Sequence, residues 1–87
     1  MTAPTTIEDL RDHFAHSIQV LGGVTTASRR LGIDERAIRR FVNGERPLSA
    51  RLLGDTATAL RTMIDEATAA EAEIAAGLAG LDDGTGV

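Results

Sequence analysis

Apolar residues recur along this chain at three- and four-residue steps, the period of a helix, with no alternation at the two-residue period of a strand. Ile7, Leu10, Phe14, Ile18 and Leu21 form the first stripe, which predicts an amphipathic helix ending at Gly22-Gly23. Thr5, with Glu8 three residues on, predicts the capping box that opens it, after a polar lead over residues 1–4. A short second helix is predicted from about Thr25 to Leu31, with Val24, Ala27, Ser28 and Leu31 inward and Gly32 as its stop. Asp34 can cap a third, from about Glu35 to Asn43, whose inner face is Ala37, Ile38, Phe41 and Val42. Asn43-Gly44 ends it, and Ser49 is the expected cap of the next. From there to about Ala79 alanine is dense and proline absent. Leu53, Ala57, Leu60, Ile64, Ala67, Glu71, Ile74, Leu78 and Leu81 follow a four-three spacing, heptad-like and broken only by Glu71.

Length and composition limit what these helices can build. Eighty-seven residues make one small domain, which buries only about 60% of its unfolded surface. With two Phe and no Trp or Tyr, aliphatic residues and alanine must fill the core. The absence of cysteine removes disulfides, thiol nucleophiles and cysteine metal sites. No apolar run reaches the roughly 20 residues that span a bilayer, so no membrane partner is expected. The polar, acidic N-terminal stretch is unlike a signal peptide, and the expected location is the cytoplasm.

A net charge of −4 argues against nucleic acid until it is resolved by position. Residues 28–51 hold seven arginines against three acids, a net +4, which leaves −8 for the rest. After Arg61 there is no basic residue. A basic middle and an acidic end predict two surfaces with two tasks.

The basic middle, VTTASRRLGIDERAIRRFVNG over residues 24–44, is a short helix, a glycine turn and a second short helix. Ala27 and Ser28 are small enough for the helices to cross closely, Gly32 turns the chain, and Ile33 plugs the junction. Ile38 anchors the second helix and leaves its outer face free. The segment resembles the helix-turn-helix regulators of the Cro/CI (Xre-like) type. The resemblance rests on Ala27-Ser28, Leu31-Gly32-Ile33, Ile38, Phe41-Val42-Asn43-Gly44, Arg46-Pro47 and Leu60, and covers about residues 5–62. Val24 stands where that family often has glutamine, and Ser28 where it often has alanine; Thr25 or Thr26 can take over the glutamine's contact.

The resemblance implies an all-α, lambda-repressor-like bundle of four to five helices whose second motif helix reads bases through Glu35, Arg36, Arg39 and Arg40. Arginine suits a guanine edge and glutamate a cytosine amine, although Glu35 also suits the positive end of a helix. Thr25, Thr26, Ser28, Arg29, Arg30, Asn43, Arg46 and Arg51 are the implied phosphate ligands.

Other chemistry finds little support. His13 and His16 lie one turn apart, but half a metal site without further ligands predicts no metal. Asp65-Glu66, Glu71 with Glu73, and Asp82-Asp83 have no nucleophile or phosphate loop nearby and read as solvated. Gly22-Gly23 lacks the remaining glycines of a phosphate cradle. Neither an enzyme nor a cofactor is expected.

The expected organisation is a DNA-binding domain over residues 1–62, a C-terminal dimerisation helix over 63–81, continuous with the fourth helix or separate, and a flexible tail over 82–87. Leu52, Leu53 and Leu60 should pack on the first three helices. Ile64, Ala67, Ile74, Leu78 and Leu81 find no cover within the chain and are the expected homodimer interface. A two-fold dimer would set its reading helices about 34 Å apart on an inverted repeat. The expected function is that of a small transcriptional regulator on double-stranded DNA, with repression the expected sign. Two alternatives stand beside it. One is an antitoxin or adaptor whose acidic helix binds a protein such as a toxin. The other is an activator that touches RNA polymerase.

Overall fold

The computed structural model describes residues 6–82. They form four helices and, among the described residues, no strand: α1 (Ile7–Val20), α2 (Val24–Leu31), α3 (Glu35–Val42) and α4 (Ala50–Asp82). The protein is all-α, as its periodicity predicts.

The capping box of α1 stands one residue later than the sequence suggests. The Thr6 hydroxyl accepts from the Asp9 amide at 3.0 Å, and the Asp9 carboxylate accepts from the Thr6 amide at 3.3 Å. Aspartate serves where glutamate was expected, because either carboxylate can reach back to the cap amide. Thr5 lies outside the described residues. Phe14, Ile18 and Leu21 are buried as the stripe predicts, but Ile7 at its start is 73% exposed. Helix α2 begins at Val24, one residue before the expected start.

Asp34 caps α3 by accepting from the Arg36 amide at 3.3 Å. Asn43 lies just past the last helical residue, and Gly44 takes the left-handed conformation at φ 81°. There the Glu45 amide donates to the Arg40 carbonyl at 2.8 Å and the Gly44 amide to the Phe41 carbonyl at 3.2 Å. This pair of bonds satisfies carbonyls that the end of a helix leaves open. Ser49 opens α4, its hydroxyl accepting from the Leu52 amide at 3.0 Å.

The core gathers Phe14, Ile18 and Leu21 of α1 and its cap, Ala27 of α2, Ile38 of α3, and Leu52 and Ala59 of α4. Phe14 meets Phe41 edge-on, with ring centroids 6.1 Å apart. Leu53 and Leu60 are half-buried against this core, as expected. The innermost line of α4, however, is Leu52, Thr56, Ala59 and Met63, one residue out of step with the seam read from the sequence. Thr56 is tolerated there because its hydroxyl donates to the Leu52 carbonyl at 2.8 Å, which satisfies the group inside its own helix.

Past Met63 α4 leaves the bundle. Every residue from Ile64 to Leu81 is exposed, while the helix continues unbroken through residues 62 and 63 to Asp82. Asp82, read as the start of the tail, is the last helical residue; residues 83–87 lie outside the described part. The Cα radius of gyration is 17.9 Å, where about 12 Å would suit a compact chain of this length, so α4 projects from the bundle. No helix among the described residues is long and apolar enough to cross a membrane.

Candidate nucleic-acid interface

Helices α2 and α3 are joined by the short turn Gly32–Asp34. Gly32 adopts φ 69°, a conformation that a Cβ would make costly. The Gly32 and Ile33 amides both donate to the Ser28 carbonyl, at 2.9 and 3.2 Å. The Ser28 hydroxyl returns a hydrogen bond to the Ile33 carbonyl. Ser28, expected at a phosphate, therefore spends its proton inside the turn, where it fixes α3 against α2.

Helix α3 divides cleanly. Ile38 is fully buried, with Ala37, Phe41 and Val42 half-buried around it. Arg36, Arg39 and Arg40 are all exposed. At the helical period these three fall within about 100° of arc, opposite the buried face. Glu35 is half-buried and accepts from Arg39 at 3.3 Å, one turn along the same helix. All four residues expected to read bases thus lie on or beside one surface, and the carboxylate steadies one of the cations.

On α2, Thr25 and Arg29 lie one turn apart and both are exposed. Thr26 is half-buried beside Gly22. Gly23 is the N-cap of the helix, so no side chain pairs with its first, open amides. Arg30 takes a different direction. Its guanidinium donates to the Glu66 carboxylate of α4 at 3.0 Å, and it stands about 100° round α2 from Arg29.

Three further expected phosphate ligands surround the α3–α4 loop. Asn43 is the exposed cap of α3, and Arg51 is exposed on the first turn of α4. Arg46 stacks its guanidinium 5.0 Å from the centre of the Phe41 ring. Because Phe41 in turn meets Phe14, this loop cation is held to the core through two rings.

One contribution was not apparent in the sequence. Gln19 of α1 joins Arg39 and Asn43 around an open hollow of about 250 Å³, floored by Ala15, Ile18, Val24 and Val42. Only the packing of α1 against α3 brings Gln19 there, so no local motif signals it. His13 and His16 are exposed on α1, and no group of three metal-ligating side chains occurs among the described residues. The acids Asp65, Glu66, Glu71 and Glu73 line the exposed part of α4, the far end of the charge division.

No family model matches the chain, and no curated protein or solved structure matches it.

Proposed function

We propose that this protein is a sequence-specific DNA-binding transcriptional regulator of the Cro/CI type, acting as a homodimer on an inverted repeat. The observation that carries the reading is the exposed arc of Arg36, Arg39 and Arg40 on a helix whose other side is anchored by the fully buried Ile38. A helix anchored in this way can enter a major groove with three arginine forks presented to guanine edges. Thr25, Thr26 and Arg29, the open amides of α2, and Asn43, Arg46 and Arg51 form the phosphate-holding set. Ser28 and Arg30, with their partners inside the fold, act on that surface by fixing its shape.

A single module of this size makes few base contacts, so a second linked copy raises affinity through effective concentration. In this reading Ile64, Ala67, Ile74, Leu78 and Leu81 of α4 supply the link. Repression is the proposed sign, since a dimer seated on a promoter excludes polymerase by occupying the DNA. Fluorescence anisotropy with the DNA upstream of the gene, over a salt series, tests the proposal. Affinity should fall about 10³–10⁵-fold between 50 and 200 mM salt if 6–10 phosphates are held. A salt-independent affinity would overturn it.

The exposed apolar side chains of the acidic α4 also favour a second reading, in which this helix binds another protein. That partner would be a toxin, if the chain is an antitoxin, or RNA polymerase, if it is an activator. Co-purification of a defined heteromeric complex in preference to a homodimer would support this reading.

A further inference from the structure

We infer that residues 64–81 of α4 pair with the same segment of a second copy, the two helices running antiparallel about a midpoint between Ala72 and Glu73. The inference rests on the homodimer in the function proposed above, and not on its DNA-binding part.

The pairing face continues a stripe that packs against the core. Leu53 and Leu60 turn this stripe of α4 against the bundle, and at 100° per residue Ile64, Ala67, Ile74, Leu78 and Leu81 carry it on past the bundle, broken by Glu71. The bundle ends, but the apolar face does not. Ile64, Ile74 and Leu78 are 50%, 73% and 56% exposed along it. Ile74, Gly77, Leu78 and Leu81, with Glu73 at the edge, border an open hollow of about 460 Å³. The spacing of Ile74, Gly77, Leu78 and Leu81 (i, i+3, i+4, i+7) is that of the four residues which form a hole for a knob from a facing helix. Beside the seam stand Thr68, Ala70, Ala75 and Gly77, all small and uncharged, so two helices can approach closely. Asp65 and Glu66 lie farther round the helix, where Arg30 already holds Glu66, and Glu73 stands at the edge of the hollow.

The direction follows from size and charge. The seam Ile64, Ala67, Glu71, Ile74, Leu78, Leu81 steps by three, four, three, four and three, which reads the same in both directions. A parallel pair in register would set Ala67 on Ala67, a void, and beside it Glu71 on Glu71, a like-charge contact. The antiparallel pair sets Ile64 against Leu81, Ala67 against Leu78 and Glu71 against Ile74. Each small residue then meets a large one, and no carboxylate faces its counterpart.

Eighteen residues give a strip about 27 Å long, and half the girth of a helix makes that roughly 450 Å² per copy, about 900 Å² in all. This is below the roughly 1,200–2,000 Å² of stable specific interfaces, which places the pair among the weaker, reversible ones. The arrangement also holds the two bundle centres about 45 Å apart along the helix pair.

The chain has no cysteine, so cross-linking reads out cleanly. Ile64→Cys and Leu81→Cys variants, one carrying a mass tag, are oxidised separately and as a mixture at about 100 μM without DNA, while sedimentation records the oligomeric state. Antiparallel pairing predicts a covalent dimer that forms on mixing at least tenfold faster than in either variant alone. Covalent dimers in each variant alone would show a parallel pair and overturn the direction. A sedimenting dimer that never cross-links would place the interface elsewhere, and a monomer at this concentration would remove it; either result overturns the inference. Cross-linking without operator binding would sink the DNA reading and leave the pairing, and operator binding without cross-linking would do the reverse.

Discussion

The Arg30 guanidinium donates to the Glu66 carboxylate at 3.0 Å, across 36 residues of sequence. The bond joins α2, half of the proposed DNA-binding surface, to α4 just beyond Met63, where the helix leaves the bundle. It therefore ties the direction of the projecting helix to the orientation of the arginine face. The side chains are 31% and 59% exposed, so its value to stability is small, below about 1 kcal/mol. Arg30→Ala should change the urea midpoint only slightly. A double-mutant cycle with Glu66→Ala should give a coupling of a few tenths of a kcal/mol that fades with salt.

On cognate DNA, Arg39→Ala and Arg40→Ala should each cost about 1–3 kcal/mol and relax the base preference at one position. Arg30→Ala should cost less than either, since α4 already engages that guanidinium. Binding measured against a panel of single-base operator variants separates these outcomes. If neither Arg39→Ala nor Arg40→Ala changes specific binding, α3 is not the reading helix.

Two glycines should respond to alanine with opposite signs. Gly44 sits at φ 81°, and a Cβ built there would lie 2.8 Å from the Arg11 guanidinium carbon. Gly44→Ala should destabilise the fold by about 1–2 kcal/mol. Gly54 lies inside α4 with nothing within 4 Å of an added Cβ. Gly54→Ala should stabilise by about 0.5–1 kcal/mol. Chemical denaturation of both variants beside the parent tests the pair.

Ile38 and Ile74 should also separate by assay. Ile38 is fully buried, and Ile38→Ala should cost about 2–5 kcal/mol, a large share of the 4–13 kcal/mol that a chain of this size holds. Ile74 is 73% exposed, so Ile74→Ala should leave the low-concentration melting temperature unchanged. In the dimer proposed above, it should instead raise the dissociation constant measured by sedimentation.

The 45 Å separation of bundle centres bears on the operator. One turn of DNA is about 34 Å, so parallel alignment of α4 with the duplex does not match a one-turn repeat. The helix pair must cross the DNA axis at about 40°, or the half-sites must stand farther apart. Binding to synthetic inverted repeats whose centres are spaced by 10, 15 and 20 base pairs should show a single clear optimum. Equal affinity at all three spacings would mean that the two bundles bind independently.

Much of this was legible in the sequence because it is local. The stops at Gly32 and Gly44, the caps at Asp34 and Ser49 and the segregation of Arg36, Arg39 and Arg40 from Ile38 follow from short-range hydrogen bonding and a 100° step per residue. Periodicity places a residue relative to its own helix axis, but does not say what stands opposite. Packing alone decided that Arg30 turns to α4 while its neighbour Arg29 does not, and that the Ser28 hydroxyl faces the turn. Packing also put Thr56 in the core line in place of the expected seam, and set the end of the bundle at Met63. In each case the cause is a neighbour distant in the chain, whose position depends on how four helices share one small apolar core.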